Sequence, residues 1–238
     1  MKPEEKPDAN VQVNLLEVQQ DDIISEDISI FGGSGPDAMT AQSVEFRMAG
    51  DLDSALQTVH LANARYKGDP ELYVELGATA THRMSLDATL APDQKREIIA
   101  QVITHYLDAL QWDPAYANAH LGLIETYCMI GDYDDAISVY GSSSPYMSAG
   151  ADKVIRASLG CIALVLSGET LDEDDTCYLD DLDIRVSRAR WCTAEIDRLL
   201  LDLKQSGENC ENVDKAIAIH QKFLQHFDEE PLRIPDHL

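Results

Sequence analysis

The sequence predicts an all-α protein built of helix–turn–helix units, because the same turn signals recur along the chain. A Gly-Asp turn at Gly50 is repeated at Gly131, and each turn is followed by a helix that opens on small and apolar residues. Asp-Pro steps at 69–70 and 113–114 stand where the preceding helix should stop. Glycine readily takes the left-handed conformation that ends a helix, and proline is favoured in the first turn of the next one. These signals predict short helices joined by tight turns.

The predicted helices follow from these signals taken in order along the chain. Pro36 and Pro70 each precede a helical stretch, and Pro114 is expected just inside another helix. The connection 85–92 is longer than a tight turn, so the second unit is expected to contain an insertion. Near 184–206, apolar residues recur at spacings of three and four, which indicates a helix that packs against a neighbour. The predicted helices cover 37–49, 52–67, 71–84, 93–112, 116–130, 133–141, 151–167, 184–206 and 211–227.

The segment 106–140 resembles a tetratricopeptide (TPR) repeat, whose unit is a helix–turn–helix of about 34 residues. A second copy surrounds Gly50. A third, weaker copy has its two helices far apart in the sequence, at 159–163 and at 216–223. The resemblance implies that small residues let paired helices approach closely and that tyrosines fill the space between repeats. These residues are Ala109, Gly122 and Ala136, with Tyr127, Tyr133 and Tyr140.

The resemblance implies an all-α TPR-type helix–turn–helix solenoid with irregular C-terminal helices. Residues 11–31 combine acidic and apolar side chains ahead of a Gly-Ser linker, and two interpretations stay open: a disordered tail, or a segment that docks on the repeats. The expected organisation is an acidic-apolar segment with its linker at 1–36, TPR repeats at 37–150, degenerate TPR-like helices and a C-terminal cap at 151–231 that contain an acidic loop at 171–183, and a tail at 232–238.

The net charge of the chain narrows the classes of partner. The 238 residues hold 43 Asp and Glu against 18 Lys and Arg, which gives a formal net charge of −25. Such a field repels nucleic-acid phosphates and anionic membranes, and it speeds the encounter with a basic protein surface. A salt-adapted or very soluble surface explains the same charge equally well. We therefore expect a protein partner, and no nucleic acid or membrane.

The hydrophobic pattern, the N-terminus and the cysteines predict a cytoplasmic protein. The longest apolar run, 161–166, is too short to span a bilayer, which needs about 20 residues, and the N-terminus shows no signal peptide. The five cysteines form no CxxC pair, so we expect reduced thiols. Buried packing positions are expected for Cys128, Cys161 and Cys192.

Catalytic and metal-binding patterns are weak. The chain shows no phosphate-binding loop, nucleophile elbow or clustered His and Cys, so we expect no enzyme and no cofactor. The loop 171–183 resembles a calcium-binding loop, but Cys177 stands where the turn needs glycine and Asp183 where a glutamate is usual. A calcium-responsive sensor is kept as an alternative on this pattern. The matching positions are Asp172, Asp174, Thr176, Tyr178, Asp180 and Asp183.

The resemblance also implies a binding groove, because in TPR proteins the first helix of each repeat lines the concave face. The equivalent positions of the fourth repeat are wholly apolar, and we expect the helix near 184–206 to cover them. The residue pairs with which some TPR proteins hold a chaperone's C-terminal carboxylate are absent, since Thr40, Val44, Asn118 and Gly122 stand there. The predicted groove residues are Arg47, Met48, Val74, Thr81, His82, Asn118, Leu121, Glu125 and Met129.

The sequence therefore predicts a non-enzymatic TPR scaffold or chaperone-like adaptor that binds a peptide segment or helix of a partner protein. An acidic TPR chaperone of the kind found in secretion systems is a narrower alternative. The substitutions Arg47→Glu and Asn118→Ala are both expected to leave the fold intact, as surface changes usually do.

Overall fold

Helices account for nearly all of the regular structure in a computed structural model that describes residues 35–87, 89–187, 191, 193–207 and 209–227. The predictions for residues 1–34, for Cys192 and for the tail 232–238 lie outside the described residues. Two 3₁₀ turns cover Ser144–Tyr146 and Cys177–Leu179. The helices are α1 (Pro36–Met48), α2 (Leu52–Arg65), α3 (Pro70–Leu86), α4 (Pro92–Trp112), α5 (Ala117–Ile130), α6 (Tyr133–Ser143), α7 (Gly150–Ser167), α8 (Glu173–Thr176), α9 (Ala194–Ser206) and α10 (Cys210–Leu224).

The first six helices form three successive pairs. Helix α1 packs on α2, α3 on α4, and α5 on α6, while α2, α4 and α6 each pack on the first helix of the next pair. The first helices also touch one another, α1 with α3, α3 with α5, and α5 with α7. The first helices of the pairs therefore form one continuous layer. The predicted all-α helix–turn–helix array is confirmed.

The helix ends largely follow the turn signals in the sequence. Asp51 Oδ1 accepts a hydrogen bond from the Ser54 amide at the start of α2, and Asp69 Oδ1 accepts one from the Glu71 amide at the start of α3. Gly131 ends α5 with φ of 77°, in the left-handed region that favours glycine. The expectation for Pro114 is wrong. It lies in the turn before α5, whose N-cap is Tyr116.

Two tyrosines replace the missing side chains of glycines in neighbouring helices. A Cβ atom on Gly77 would lie 2.8 Å from the Tyr106 ring, and one on Gly122 would lie 2.4 Å from it. A Cβ atom on Gly160 would lie 2.2 Å from the Tyr140 ring. These distances are far below normal contact, so each glycine is needed for the close approach of its helix to a tyrosine.

The C-terminal part interrupts the simple order of pairs. Helix α7 packs on α10, which is distant in the chain, as the third copy of the repeat predicts, and it also packs on the short helix α8 that follows it. Residues 168–209 between them, here called the insert, contain α8, the second 3₁₀ turn and α9.

The prediction of a helix over 184–206 is wrong at its start, since residues 184–187 are not helical and α9 begins at Ala194. Two of these four residues are held by hydrogen bonds to His226, just after α10. The Val186 amide donates to the His226 carbonyl oxygen at 2.9 Å, and His226 Nδ1 lies 2.9 Å from the Ile184 carbonyl oxygen. In a helix that began at 184, the Ile184 carbonyl oxygen would instead accept a hydrogen bond from the amide four residues later.

The largest hydrophobic cluster surrounds α7 and includes side chains of α5, α6, α9 and α10. The insert runs over two different helices, since α8 and the turn after it pack on α7, whereas α9 packs on α5 and α10. The expected cover of the fourth repeat by α9 is therefore corrected. The apolar positions of that repeat, Val154, Ala157, Cys161, Leu164 and Val165, are all buried.

None of the helices in the described part of the chain is long and apolar enough to cross a membrane.

Candidate binding groove

A cavity of about 510 Å³ lies along the layer of first helices. Helices α1, α3 and α5 supply most of its lining, and α4 contributes Tyr106. The insert completes the lining with Trp191 and Glu195. We call this cavity the groove.

Most of the predicted groove residues come together in this lining. They are Arg47, Val74, Thr81, His82, Asn118 and Glu125. Their role in binding a partner stays a prediction.

Three predicted residues lie elsewhere. Leu121 is fully buried, in the hydrophobic cluster that also holds Ile196 and Leu200 of α9, so the insert has turned a groove position into a core position. Met48 is exposed at the end of α1 and Met129 is half-buried near the end of α5, and neither lines the groove.

A buried ion pair forms one part of the groove floor. Arg47 Nε lies 3.0 Å from Glu75 Oε1, and Arg47 Nη2 lies 3.1 Å from Oε2, so the guanidinium binds the carboxylate with two hydrogen bonds. The hydroxyls of Ser43 and Thr79 also donate to Glu75 Oε1. Both side chains of the pair are at least nine-tenths buried. This burial contradicts the expectation that Arg47→Glu would leave the fold intact, because the new carboxylate would face Glu75.

Glu125 forms another part of the floor and is only 8% exposed. Its Oε1 atom has no hydrogen-bond partner among the described residues. Burial raises the pKa of Glu125 well above its usual value of 4.5, and the charge of Glu195 raises it further, while Arg47 acts in the opposite direction. The carboxyl is therefore hard to ionise unless a further positive charge enters the groove.

Several other polar atoms of the lining are buried without a hydrogen-bond partner in the described part of the chain. They are Thr40 Oγ1, His82 Nδ1 and Trp191 Nε1. Burial lowers the pKa of His82, which favours the neutral imidazole. Buried polar groups in native proteins are usually satisfied, so a group of them around one cavity is typical of a site that binds something polar.

The rim of the groove differs from its floor in exposure. Asp37 and Glu71, in the first turns of α1 and α3, and Asn118 in α5 all line the groove and are exposed. The lining therefore passes from exposed acidic residues to buried ones.

Sequence reasoning missed Glu75, Trp191 and Glu195. Glu75 could have been found, since it shares a helical face with Glu71, Ala78 and His82 at spacings of three and four. Trp191 and Glu195 belong to the insert, and no local pattern indicates that α9 returns to α5.

The comparisons with known proteins find similar solved structures at low sequence identity. No protein-family model matches the chain, and no curated protein matches it. TTC0263, a thermophilic TPR protein from Thermus thermophilus, is similar at 15% identity, with 79% of this chain and 82% of that chain covered and a TM-score of 0.49. A human IFIT1 dimer with PPP-AAAA is similar at 15% identity, with 81% of this chain and 48% of that chain covered and a TM-score of 0.47. The chain thus spans about half the length of the IFIT1 chain.

At this low level of similarity, the fold is assigned from the contacts between the helices. Three successive helix pairs, a shared layer of first helices and the glycine–tyrosine contacts between them are the features that the repeat predicts. The chain has a TPR-like helical-repeat fold.

The geometry of the acidic loop 171–183 does not support the alternative of a calcium sensor. The Asp172 and Asp175 side chains each accept a hydrogen bond from the other's backbone amide and so cap α8, while Asp180 pairs with Lys222. No group of three or more metal-ligating side chains is found among the described residues.

The described cysteines occupy two kinds of position. Cys128 and Cys161 are buried as expected, and burial raises the pKa of both thiols, that of Cys161 to about 12. Cys177 and Cys210 are exposed. A buried thiol with a raised pKa is a poor nucleophile, so Cys128 and Cys161 serve as packing residues.

Proposed function

We propose that this protein is a non-enzymatic TPR-like scaffold that binds a segment of a partner protein in the groove lined by α1, α3 and α5. The observation that carries the proposal is the cavity of about 510 Å³ whose buried lining holds polar atoms without partners among the described residues. A cavity of this size and lining is typical of a specific binding site rather than of a packing defect.

The position of the groove favours an elongated ligand. Its lining comes from three successive first helices, and repeat architectures commonly bind extended or helical segments along such a layer. The exposed carboxyl groups of Asp37 and Glu71 stand at the rim, where a segment would enter.

The chemistry of the floor separates the adaptor from the chaperone alternative. A chaperone that keeps an apolar client segment soluble needs an apolar groove, whereas Glu75, Glu125 and Arg47 place charged groups at the floor. A partner segment with polar or basic side chains fits this floor better, and the chain's net charge of −25 favours the same partner. The expected cytoplasmic location stays a prediction.

A peptide library displayed on phage tests the proposal without knowledge of the natural partner. The full-length protein is used as bait, and the recovered peptides are measured against two variants. Ala78→Trp places an indole in the groove, since Ala78 lines it. Gln101→Trp adds the same side chain at an exposed position of α4 that does not line the groove.

Peptides that bind in the groove should lose at least tenfold in affinity for Ala78→Trp and keep their affinity for Gln101→Trp. Circular dichroism of both variants checks that the helices are intact. Equal binding to both variants, or no recovered peptide at all, would contradict the proposed function.

A further inference from the structure

Over the described residues, the groove lining holds five carboxyl groups and one permanently charged cation, Arg47. Arg47 is held by two hydrogen bonds to Glu75, so these two charges largely neutralise each other. Burial holds His82 towards its neutral form by lowering its pKa. The carboxyl groups of the lining are Asp37, Glu71, Glu75, Glu125 and Glu195.

Glu125 gives an observation independent of this charge count. Its side chain lines the groove, is more than nine-tenths buried, and has an Oε1 atom without a hydrogen-bond partner among the described residues. Burying such an atom costs free energy unless a partner supplies a hydrogen bond. The floor is therefore incomplete around this carboxyl.

We propose that the floor of the groove holds one cationic side chain of the bound segment, a lysine ammonium or an arginine guanidinium, between the carboxylates of Glu125 and Glu195. This inference rests on the proposed function, because it names the group of the partner segment that the groove recognises.

The surroundings favour a cation over other ligands. An anion would be repelled by the acidic lining, and a neutral group would supply no charge to offset the cost of ionising Glu125 in a buried site. A cation gains charge-assisted hydrogen bonds from both carboxylates. Trp191 and Tyr116 add aromatic surface to the lining, which attracts cations, and Asp37 and Glu71 at the rim attract them from solvent.

The packing of α9 fixes the position of Glu195. The residue next to it, Ile196, is buried in the main hydrophobic cluster. Asp197 Oδ1 lies 2.6 Å from His220 Nε2, which joins α9 to α10, and the Arg198 guanidinium donates to the carbonyl oxygen of Ser85 at the end of α3. These contacts fix the backbone of α9 beside the groove, and Glu195 lines the groove from this helix.

The primary test uses n-butylammonium chloride, the side-chain analogue of lysine, and n-butanol as its neutral match. Binding is followed by the NMR shifts of backbone amides in α5. The wild-type protein should show saturable shifts with n-butylammonium and at least tenfold weaker ones with n-butanol. The double variant Glu125→Gln, Glu195→Gln should lose at least tenfold in affinity for the cation.

The control variant Asp134→Asn removes one negative charge from an exposed position of α6 and should bind n-butylammonium like the wild type. Equal responses to n-butylammonium and n-butanol, or equal affinity in the double variant and the wild type, would overturn the cation site.

The pH dependence gives a second readout. A cation binds the carboxylate form of Glu125, whose pKa is raised in the empty groove, so the affinity should rise as the pH increases through that pKa. An affinity that does not change as the pH rises above about 4.5 would count against the site. The charged and titratable groups that line the groove with Glu125 on the other packed helices are Arg47 of α1, Glu75 and His82 of α3, Tyr106 of α4, and Glu195 of α9.

The peptides recovered from the library separate this inference from the proposed function. Replacing their lysine or arginine by norleucine should weaken binding at least tenfold, and the double variant should remove this difference. Groove-dependent peptides that need no cation would overturn the cation site and leave the proposed function standing. If n-butylammonium binds but no peptide does, the proposed function fails, and with it the assignment of the cation to a partner segment.

Discussion

Helices α5 and α7 occupy equivalent places in successive repeats, yet their inner faces do opposite things. The inner face of α5 presents Glu125 to the groove, where its Oε1 atom lacks a hydrogen-bond partner among the described residues. The inner face of α7 carries Ala157, Cys161 and Leu164, and all three are buried in the main hydrophobic cluster. The helix backbone is the same in both cases, so the chemistry of a few side chains decides whether a repeat adds to the hydrophobic core or lines the groove.

The two halves of the insert pack on different helices, and this accounts for the difference between the inner faces of α5 and α7. Its first half, α8 and the 3₁₀ turn, buries Leu179 against α7, where apolar contact stabilises the fold. Its second half, α9, reaches α5 and adds Glu195 and Trp191 to the groove. The fourth repeat is thus filled by the chain itself, while the first three keep a groove.

The largest expected effect comes from a substitution in the buried ion pair of the groove floor. Arg47→Glu should lower the free energy of unfolding by at least about 3–5 kcal/mol, because it leaves Glu75 buried without its counter-charge and adds a second carboxylate. Urea unfolding followed by circular dichroism measures this loss. The control Arg83→Glu breaks an exposed pair with Asp53 and should cost no more than about 1 kcal/mol. Similar losses in the two variants would show that Arg47 is not buried.

A second substitution removes apolar contacts of α7. Ile162 of α7 is fully buried, so Ile162→Ala should lower the free energy of unfolding by about 2–5 kcal/mol. Its matched control is Leu201→Ala on α9, where the leucine is 56% exposed and should cost under about 1 kcal/mol. The affinity of groove-binding peptides should be unchanged in Ile162→Ala under conditions where the variant is folded. A loss of affinity equal to that of a groove variant would show that the two faces do not act separately.

A third substitution tests the close contact between the second and third repeats. A Cβ atom on Gly122 would lie 2.4 Å from the Tyr106 ring, so Gly122→Ala should cost about 1–3 kcal/mol through overpacking. Gly141→Ala is the matched control in α6, where no atom stands within 4 Å of the new Cβ, and it should stabilise by about 0.5–1 kcal/mol. Thermal unfolding of both variants gives the comparison, and stabilisation by Gly122→Ala would refute the close approach.

The sequence predicts the repeated part of the molecule well because its signals are local. The turn at Gly131, the proline that opens α3 and the small residues beneath Tyr106 and Tyr140 each act within a few residues or within one neighbouring helix. Arg47, His82 and Glu125 could be placed on the groove for the same reason, since helical periodicity sets the face on which they lie.

The features that the sequence does not predict depend on contacts between residues that are distant in the sequence. Arg47 was expected to be a surface residue because its partner, Glu75, lies in another repeat. Leu121 was assigned to the groove because nothing near it indicates that Ile196 and Leu200 join the same cluster. The start of α9 was misplaced because the backbone before it is held by His226, near the other end of α10.

The smallest expected effect concerns the pH dependence of stability. The pKa of Glu125 is raised in the folded protein, so its contribution to stability is fully present below about pH 4.5 and is lost as the pH rises through the raised pKa. Glu125→Gln cannot ionise, so its melting temperature should rise relative to that of the wild type as the pH increases above about 4.5. The exposed control Asp134→Asn should show no such trend. A difference between Glu125→Gln and the wild type that does not change with pH would argue against the buried carboxyl.

The most direct measurement of the central claim is the titration of the Glu125 side chain itself. The carboxyl carbon is followed by ¹³C NMR in the intact protein, and Glu125→Gln identifies its signal. The structure predicts a midpoint well above the usual 4.5 in the free protein, with a fall in that midpoint when n-butylammonium is added. A midpoint near 4.5 that does not change with the cation would contradict the account, because it would mean that Glu125 is solvated and that the groove has no buried acidic floor.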